Sequence, residues 1–240
     1  MFKYVRKLLK QYLPIPMLCR IDTFRSKGVL RIGKRSYIHS TVQILGRSNV
    51  AIGDNTCIGE SSWLNVNHRN ENEISIDIGS NCFIGRGNFF SSGNKINIGD
   101  YCLTTIGCKF ICSTHYINDP LLPYITTGTT FDQSISVGPN CFFGSGATVL
   151  GNVTIGHGSV IGANAVVLQD IPSFSIVVGN PAKVIRRYSF SRQCWCDVTS
   201  IAEDDIFEYP DEQTYLQILR NKHSTVAMPW IAVGSDLGNI

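Results

Sequence analysis

From Val137 onward, one bulky apolar side chain recurs at every sixth position: Val137, Phe143, Val149, Ile155, Ile161 and Val167. Four residues after each of the first five stands a smaller one: Cys141, Ala147, Val153, Ser159 and Ala165. Glycine follows the bulky residue at Gly138, Gly144, Gly156 and Gly162. A period of six matches neither the 3.6 of an amphipathic helix nor the 2 of a half-buried strand. It suits a coil that turns a corner every six residues and sends one large side chain inward from each flat segment. Glycine belongs where the backbone bends and a Cβ would clash.

The same register runs through the earlier chain, at Ile52-Gly53, Ile58-Gly59, Ile78-Gly79, Ile84-Gly85 and Ile98-Gly99, with Ile32, Ile38 and Ile44 keeping the spacing. Internal repetition on this scale fixes the architecture. The chain is predicted to be all-β, a coil that turns a corner every six residues over residues 28–187. An N-terminal helical segment, 1–27, and a C-terminal extension, 188–240, flank it. Cys82 and Cys102 fall at the small inward position, where a thiol packs as a small hydrophobe.

Two stretches break the period. Residues 60–77 are polar and too long for a corner, and 116–134 hold two prolines and no repeat. A long irregular loop in a compact domain usually carries function. At the ends, residues 2–13 place Phe2, Val5, Leu9 and Tyr12 near one face of a helix, with Lys3, Arg6, Lys7 and Lys10 around the rest. Residues 203–220 read as a short helical tail with Pro210 inside it.

Composition narrows the function. A net charge of +3, from 21 Lys+Arg against 18 Asp+Glu, is too mild to imply a nucleic-acid partner. A hydrophobic content of 43% excludes a disordered chain. No window holds the roughly 18 uninterrupted apolar residues of a membrane span. The early cations interrupt any secretory signal, so a cytoplasmic protein is expected. The nine cysteines form no Cys-x-x-Cys pair and are scattered, which predicts reduced thiols rather than disulfides or a metal site. The glycines follow the coil period, and no GxxxxGK[ST] loop for phosphate occurs.

His115 stands out because it closes Ser113-Thr114-His115 at the exit of a coil, before the long loop and Asp119-Pro120. A histidine there can reach a cleft, and imidazole exchanges protons near neutral pH. His39, His68, His157 and His223 lack that context, and His157, in Ile155-Gly156-His157-Gly158, reads as a solvated turn residue.

Two motifs carry a family resemblance: Ile98-Gly99-Asp100-Tyr101 followed by Ser113-Thr114-His115, and the closing run Val178-Gly179-Asn180-Pro181-Ala182-Lys183-Val184-Ile185-Arg186. With the repeat, they resemble the hexapeptide-repeat acyltransferases of the left-handed parallel β-helix type, in particular the maltose, galactoside and polysaccharide O-acetyltransferases. The resemblance implies a homotrimer with its active site between subunits, acetyl-CoA as co-substrate and no metal. It implies His115 as general base. It assigns coenzyme A contacts to Phe142, Ser145, Ala163, Lys183 and Arg186, and it leaves Asn88 or Ser91 for the acceptor. The chain departs from it at Leu168-Gln169, where many relatives have Thr-Lys, and at Phe142, where tryptophan is common.

The function so implied is acetyl transfer to a sugar hydroxyl, in surface polysaccharide (O-antigen or capsule) biosynthesis. The first helix, apolar on one side and basic around it, allows peripheral contact with the inner face of a membrane. N-acylation of a nucleotide-linked amino sugar remains open, as does a non-catalytic β-helix scaffold.

Overall fold

The structure, a computed structural model, describes residues 29–70, 73–201, 209–224 and 226–228. The helix expected over residues 2–13, like the whole of segment 1–27, lies outside them. The described chain winds as a left-handed parallel β-helix with three flat faces. Face 1 stacks Arg31–Ile32, Val50–Ile52, Ile76–Ile78, Lys95–Ile98, Ser134–Val137 and Val153–Ile155. Face 2 stacks Tyr37–Ile38, Cys57–Ile58, Phe83–Ile84, Leu103–Thr104, Phe142–Phe143, Val160–Ile161 and Ser175–Val178. Face 3 stacks Gln43–Leu45, Trp63–Val66, Phe89–Ser92, Lys109–Ile111, Thr148–Leu150 and Val166–Val167. Every pairing within these stacks is parallel, as a chain that returns to the same face once per turn requires.

The six-residue side chains point inward and form the core. Ile52, Ile78, Ile98, Val137 and Ile155 line face 1; Ile58, Ile84, Phe143 and Ile161 line face 2; Leu64, Phe90, Phe110 and Val149 line face 3, all essentially inaccessible. Phe90 and Phe110 stack with centroids 4.9 Å apart, and Phe143 meets Phe110 edge-on. Small polar residues fill the corners between faces 1 and 2 and cap carbonyls of the next turn. Thr56 donates to Gly79 O, and Ser159 to Pro172 O. The thiols of Cys82, Cys102 and Cys141 approach Gly99 O, Gly138 O and Gly156 O in the same way. Burial pushes the thiols of Cys82 and Cys141 well above the ordinary cysteine value, so they serve the prism as neutral donors.

Past Ser175–Val178 the chain reverses. Lys183–Ser189 and Cys194–Asp197 add to face 2 as antiparallel strands, an element the repeat did not foretell. Of the helical tail expected over 203–220, residues 203–208 lie outside the described residues; the helix runs over Glu212–Lys222, so Pro210 precedes it and does not lie inside it. Its start is set by Asp211, which follows Pro210 and accepts from Thr214 N at 2.8 Å; its last turn carries Arg220 and Lys222, favourable at a helix C-terminus.

This helix and the residues after it form a strap along the edge between faces 1 and 2. Tyr215 packs on His157 and bonds to Asn140, Arg220 pairs with Asp100 at 3.0 Å, and Tyr101 donates to His223 O. Farther back, Asn55 donates to Val226 O. His157 is therefore not a solvated turn residue: it is 7% exposed, edge-on to Phe174 and against Tyr215. Its ring nitrogens bond Pro210 O and Ser173 Oγ. The turn that reads as open in sequence is covered by a segment some fifty positions downstream.

Candidate functional site

Each turn passes three corners, and the one leading from face 3 to face 1 carries both irregular stretches. In the second turn the chain leaves face 3 at Val66 and rejoins face 1 at Ile76. In the fourth it leaves at Ile111 and rejoins at Ser134. Between them, the third turn crosses the same corner with only Gly93 and Asn94. Glycine is required there, because a Cβ would run into Cys112 O, with Gln133 O close behind. With that corner kept tight, the excursions on either side meet above it.

The longer excursion begins as a two-stranded stem. Thr130 N donates to Thr114 O at 2.7 Å, Thr114 N to Thr130 Oγ1 at 3.1 Å, and Ser113 Oγ to Thr130 O at 2.9 Å. His115 pairs with Thr129 in an antiparallel bridge and is exposed, at the mouth of the loop. Beyond the stem the loop shows apolar side chains to solvent, with Leu121 90% and Ile125 86% exposed. The shorter excursion is held from beneath by buried Asn49, whose amide donates to Asn70 O and Glu73 O. It brings His68 against the stem: His68 Nε2 lies 3.1 Å from Thr129 Oγ1, and its ring meets Phe131 edge-on.

Ser91, one residue before the end of its face 3 strand at this same corner, is buried and accepts from Asn67 Nδ2 at 2.9 Å. Asn67 in turn accepts from Asn65, which stands beside Ser91 in the parallel register. Asn88 is placed elsewhere. It lies inside the prism, 1% exposed, at the corner between faces 2 and 3, and its amide donates to Gly85 O and Thr105 O at 2.8 Å. In this position its amide braces the coil from within.

The residues expected to meet coenzyme A lie on another edge. Ser145 and Ala163 are exposed at the corner between faces 2 and 3, one turn apart, with Asn164 N donating to Ser145 O. Ser145 Oγ is 3.2 Å from Thr105 Oγ1 of the turn before. Phe142 is 37% exposed on face 2, in register between Leu103 and Val160. Lys183 and Arg186 project from the antiparallel strand at the end of the prism, and Arg186 pairs with Asp197 at 3.3 Å. Face 3 thus separates the small-residue edge from the His115 corner, and a three-residue strand spans about 10 Å.

His68, Asn67 and Asn65 were passed over in the sequence. The signal available was positional: both excursions follow a third-face strand, so they leave the prism at one corner. Among the described residues no group of three or more His, Cys, Asp or Glu side chains is arranged to hold a metal ion. A cleft of about 440 Å³, bounded by Phe83, Leu103, Leu219 and Met228, lies under the strap and away from His115. No helix among the described residues is long and apolar enough to cross a membrane.

Comparisons with known proteins agree with this architecture. Residues 134–169 match the family described as bacterial transferase hexapeptide (six repeats). A Mycobacterium tuberculosis protein named as an acetyltransferase is 32% identical over 166 residues, 69% of this chain and 52% of that one. A Staphylococcus aureus protein named as an acetyltransferase is 39% identical over 113 residues, 47% of this chain and 55% of that one. The chain spans about half the length of these curated relatives. Among solved structures, an N-acyltransferase from Bacillus cereus in complex with dTDP and 3-hydroxybutyryl-CoA superposes with a TM-score of 0.57 at 20% identity, covering 72% of this chain and 87% of that one. The resemblance carried by the six-residue period is thereby borne out.

Proposed function

For a chain built of the bacterial transferase hexapeptide repeat, we propose the transfer of an acetyl group from acetyl-CoA to a hydroxyl of a sugar destined for a surface polysaccharide. The observation that carries the reading is the exposed imidazole of His115 at the mouth of a long loop, beside a corner rich in amide and hydroxyl groups.

His115 takes the proton from the acceptor hydroxyl as its oxygen attacks the thioester carbonyl. The tetrahedral intermediate then collapses: the C–S bond breaks, the acetyl group stays on oxygen, and the imidazolium returns its proton to the leaving thiolate. Ser91, through its bond to Asn67, belongs to the acceptor side. Ser145 and Ala163 leave room for the pantetheine arm, Phe142 offers it an aromatic wall, and Lys183 and Arg186 meet the nucleotide phosphates. Reacting atoms must approach to about 3–3.5 Å. A donor edge and an acceptor corner at opposite ends of face 3 meet that demand when neighbouring copies contribute one each, which supports a homotrimer.

The test is thiol release from acetyl-CoA by the purified protein against a panel of sugars and amino sugars. Turnover of sugars that falls about a hundredfold or more in His115→Ala, with coenzyme A affinity intact, is the expected result. Turnover of amines alone would move the reading to N-acylation. No turnover with any member, or a fully active His115→Ala, would remove it.

A further inference from the structure

We propose that His68 is a positioning residue for His115, acting through Thr129; the inference rests on the reading of His115 as the base. Three observations carry it. First, the stem that presents His115 is held by its own strands, 113–115 against 129–130, while the loop beyond it is solvated. Such a stem resists opening, but its own hydrogen bonds do nothing to fix its tilt over the prism. Second, among the described residues the side chain from another turn that hydrogen-bonds the stem is His68, at 3.1 Å from Thr129 Oγ1. Thr129 is the residue paired with His115, so the bond acts at the point where the imidazole is carried. Third, His68 comes from a fixed base. The excursion bearing it is tied down by Asn49, which is 2% exposed, and Arg69 Nε donates back to Val66 O.

The ring also packs edge-on to Phe131, so His68 holds the stem by a polar and an apolar contact together. It spans from the second turn to the fourth, over the Gly93 corner of the third. The consequence for catalysis is geometric. A general base works only within hydrogen-bond reach of the proton it removes, and a displacement of about 1 Å can cost about a hundredfold in rate. His68 touches neither reactant in this arrangement; it sets where His115 stands.

The experiment compares full-length His68→Ala, His68→Gln and Thr129→Val, using acetyl-CoA with the sugar that turns over best in the panel. Ala and Val should each lower kcat about tenfold while the KM for acetyl-CoA stays unchanged. The glutamine amide still reaches Thr129 Oγ1, so His68→Gln should recover most of the loss. The double variant His68→Ala with Thr129→Val should be little worse than either single one, because both break one link. A second readout needs no acceptor: in carbon-13 spectra of labelled histidines, the His115 signal should shift or broaden in His68→Ala and Thr129→Val and return in His68→Gln. Wild-type kcat and an unmoved His115 signal in His68→Ala overturn the proposal. So does a glutamine variant as impaired as alanine with His115 unperturbed, which would place His68 on the acceptor itself. Retained activity in His115→Ala overturns the base assignment instead, and the spectra still report whether His68 positions the ring.

Discussion

His157 of the sixth turn and Tyr215 of the C-terminal helix lie ring against ring, their centroids 5.2 Å apart. The contact joins the prism to the strap at a site where the sequence shows only a glycine-flanked histidine. Phe174 meets both rings edge-on, and Tyr209 and Phe190 pack on Phe174 in turn. His157→Ala removes two ring contacts and the bonds to Pro210 O and Ser173. It should cost about 2 kcal/mol in denaturant unfolding. Amide exchange across 211–222 should accelerate more than in the coils, since the strap detaches before the prism unwinds.

Gly93 is a close-approach glycine. Gly93→Ala sets a methyl against Cys112 O, and backbone must shift to admit it. A loss of more than about 1 kcal/mol is expected, with a fall in kcat as the stem beyond Cys112 is displaced. Unchanged stability measured by thermal unfolding would mean that this corner is not tight.

Asn88 separates a brace from a ligand-binding residue. Asn88→Ala takes the amide donor from Thr105 O and from Gly85 O, which keeps Ser62 Oγ, and should cost about 1 kcal/mol. The KM for the acceptor should not move in enzyme that remains folded. A raised acceptor KM at unchanged stability would put Asn88 back in the cleft.

Lys183 and Arg186 should act on the donor alone. Their double alanine variant is expected to raise the KM for acetyl-CoA with kcat nearly unchanged. Arg186 is already engaged with Asp197, in an exposed pair worth little to stability. Asp197→Ala should therefore leave stability intact and lower that KM slightly, by releasing the guanidinium. Steady-state kinetics at two salt concentrations would expose a purely electrostatic effect.

Asp211 gives the strap a pH dependence. The hydrogen bond from Thr214 N holds its carboxyl below the usual aspartate range. A carboxylate favoured in the folded state stabilises above its unfolded pKa, and that contribution is lost as pH falls through the folded value. The difference in helix protection between wild type and Asp211→Ala should be full at neutral pH and close in acid. Amide exchange at Thr214 measured at both ends would register it.

The prism was legible because its packing is repetitive. Ile52, Ile58, Ile78, Ile84 and their successors must each fill the same inward slot, so one spacing announces the whole stack. The excursions were legible as interruptions of that spacing. Their meeting was not, because it depends on counting turns and on Gly93 keeping the intermediate corner short. His68 was passed over for the same reason: its partner Thr129 lies far along the chain, in the other excursion. His157 misled because a corner flanked by glycines is solvated unless something distant covers it. The helix after Asp211 could have been bounded more closely, since Pro210-Asp211 with Thr214 is a stop followed by a cap. The reversal into Lys183–Ser189 and Cys194–Asp197 breaks the repeat and is built from local pairing, which no period encodes.

A triangular column offers visitors three seams, and this one has already closed a seam with its own tail. From Phe174 back to Asn55, the strap occupies the seam joining faces 1 and 2. Anything else that docks lengthwise, whether a twin molecule, a thioester arm or a glycan, is left to share the remaining two. Crowding of that kind would constrain any assembly, because the tail leaves only two flanks open to a neighbour.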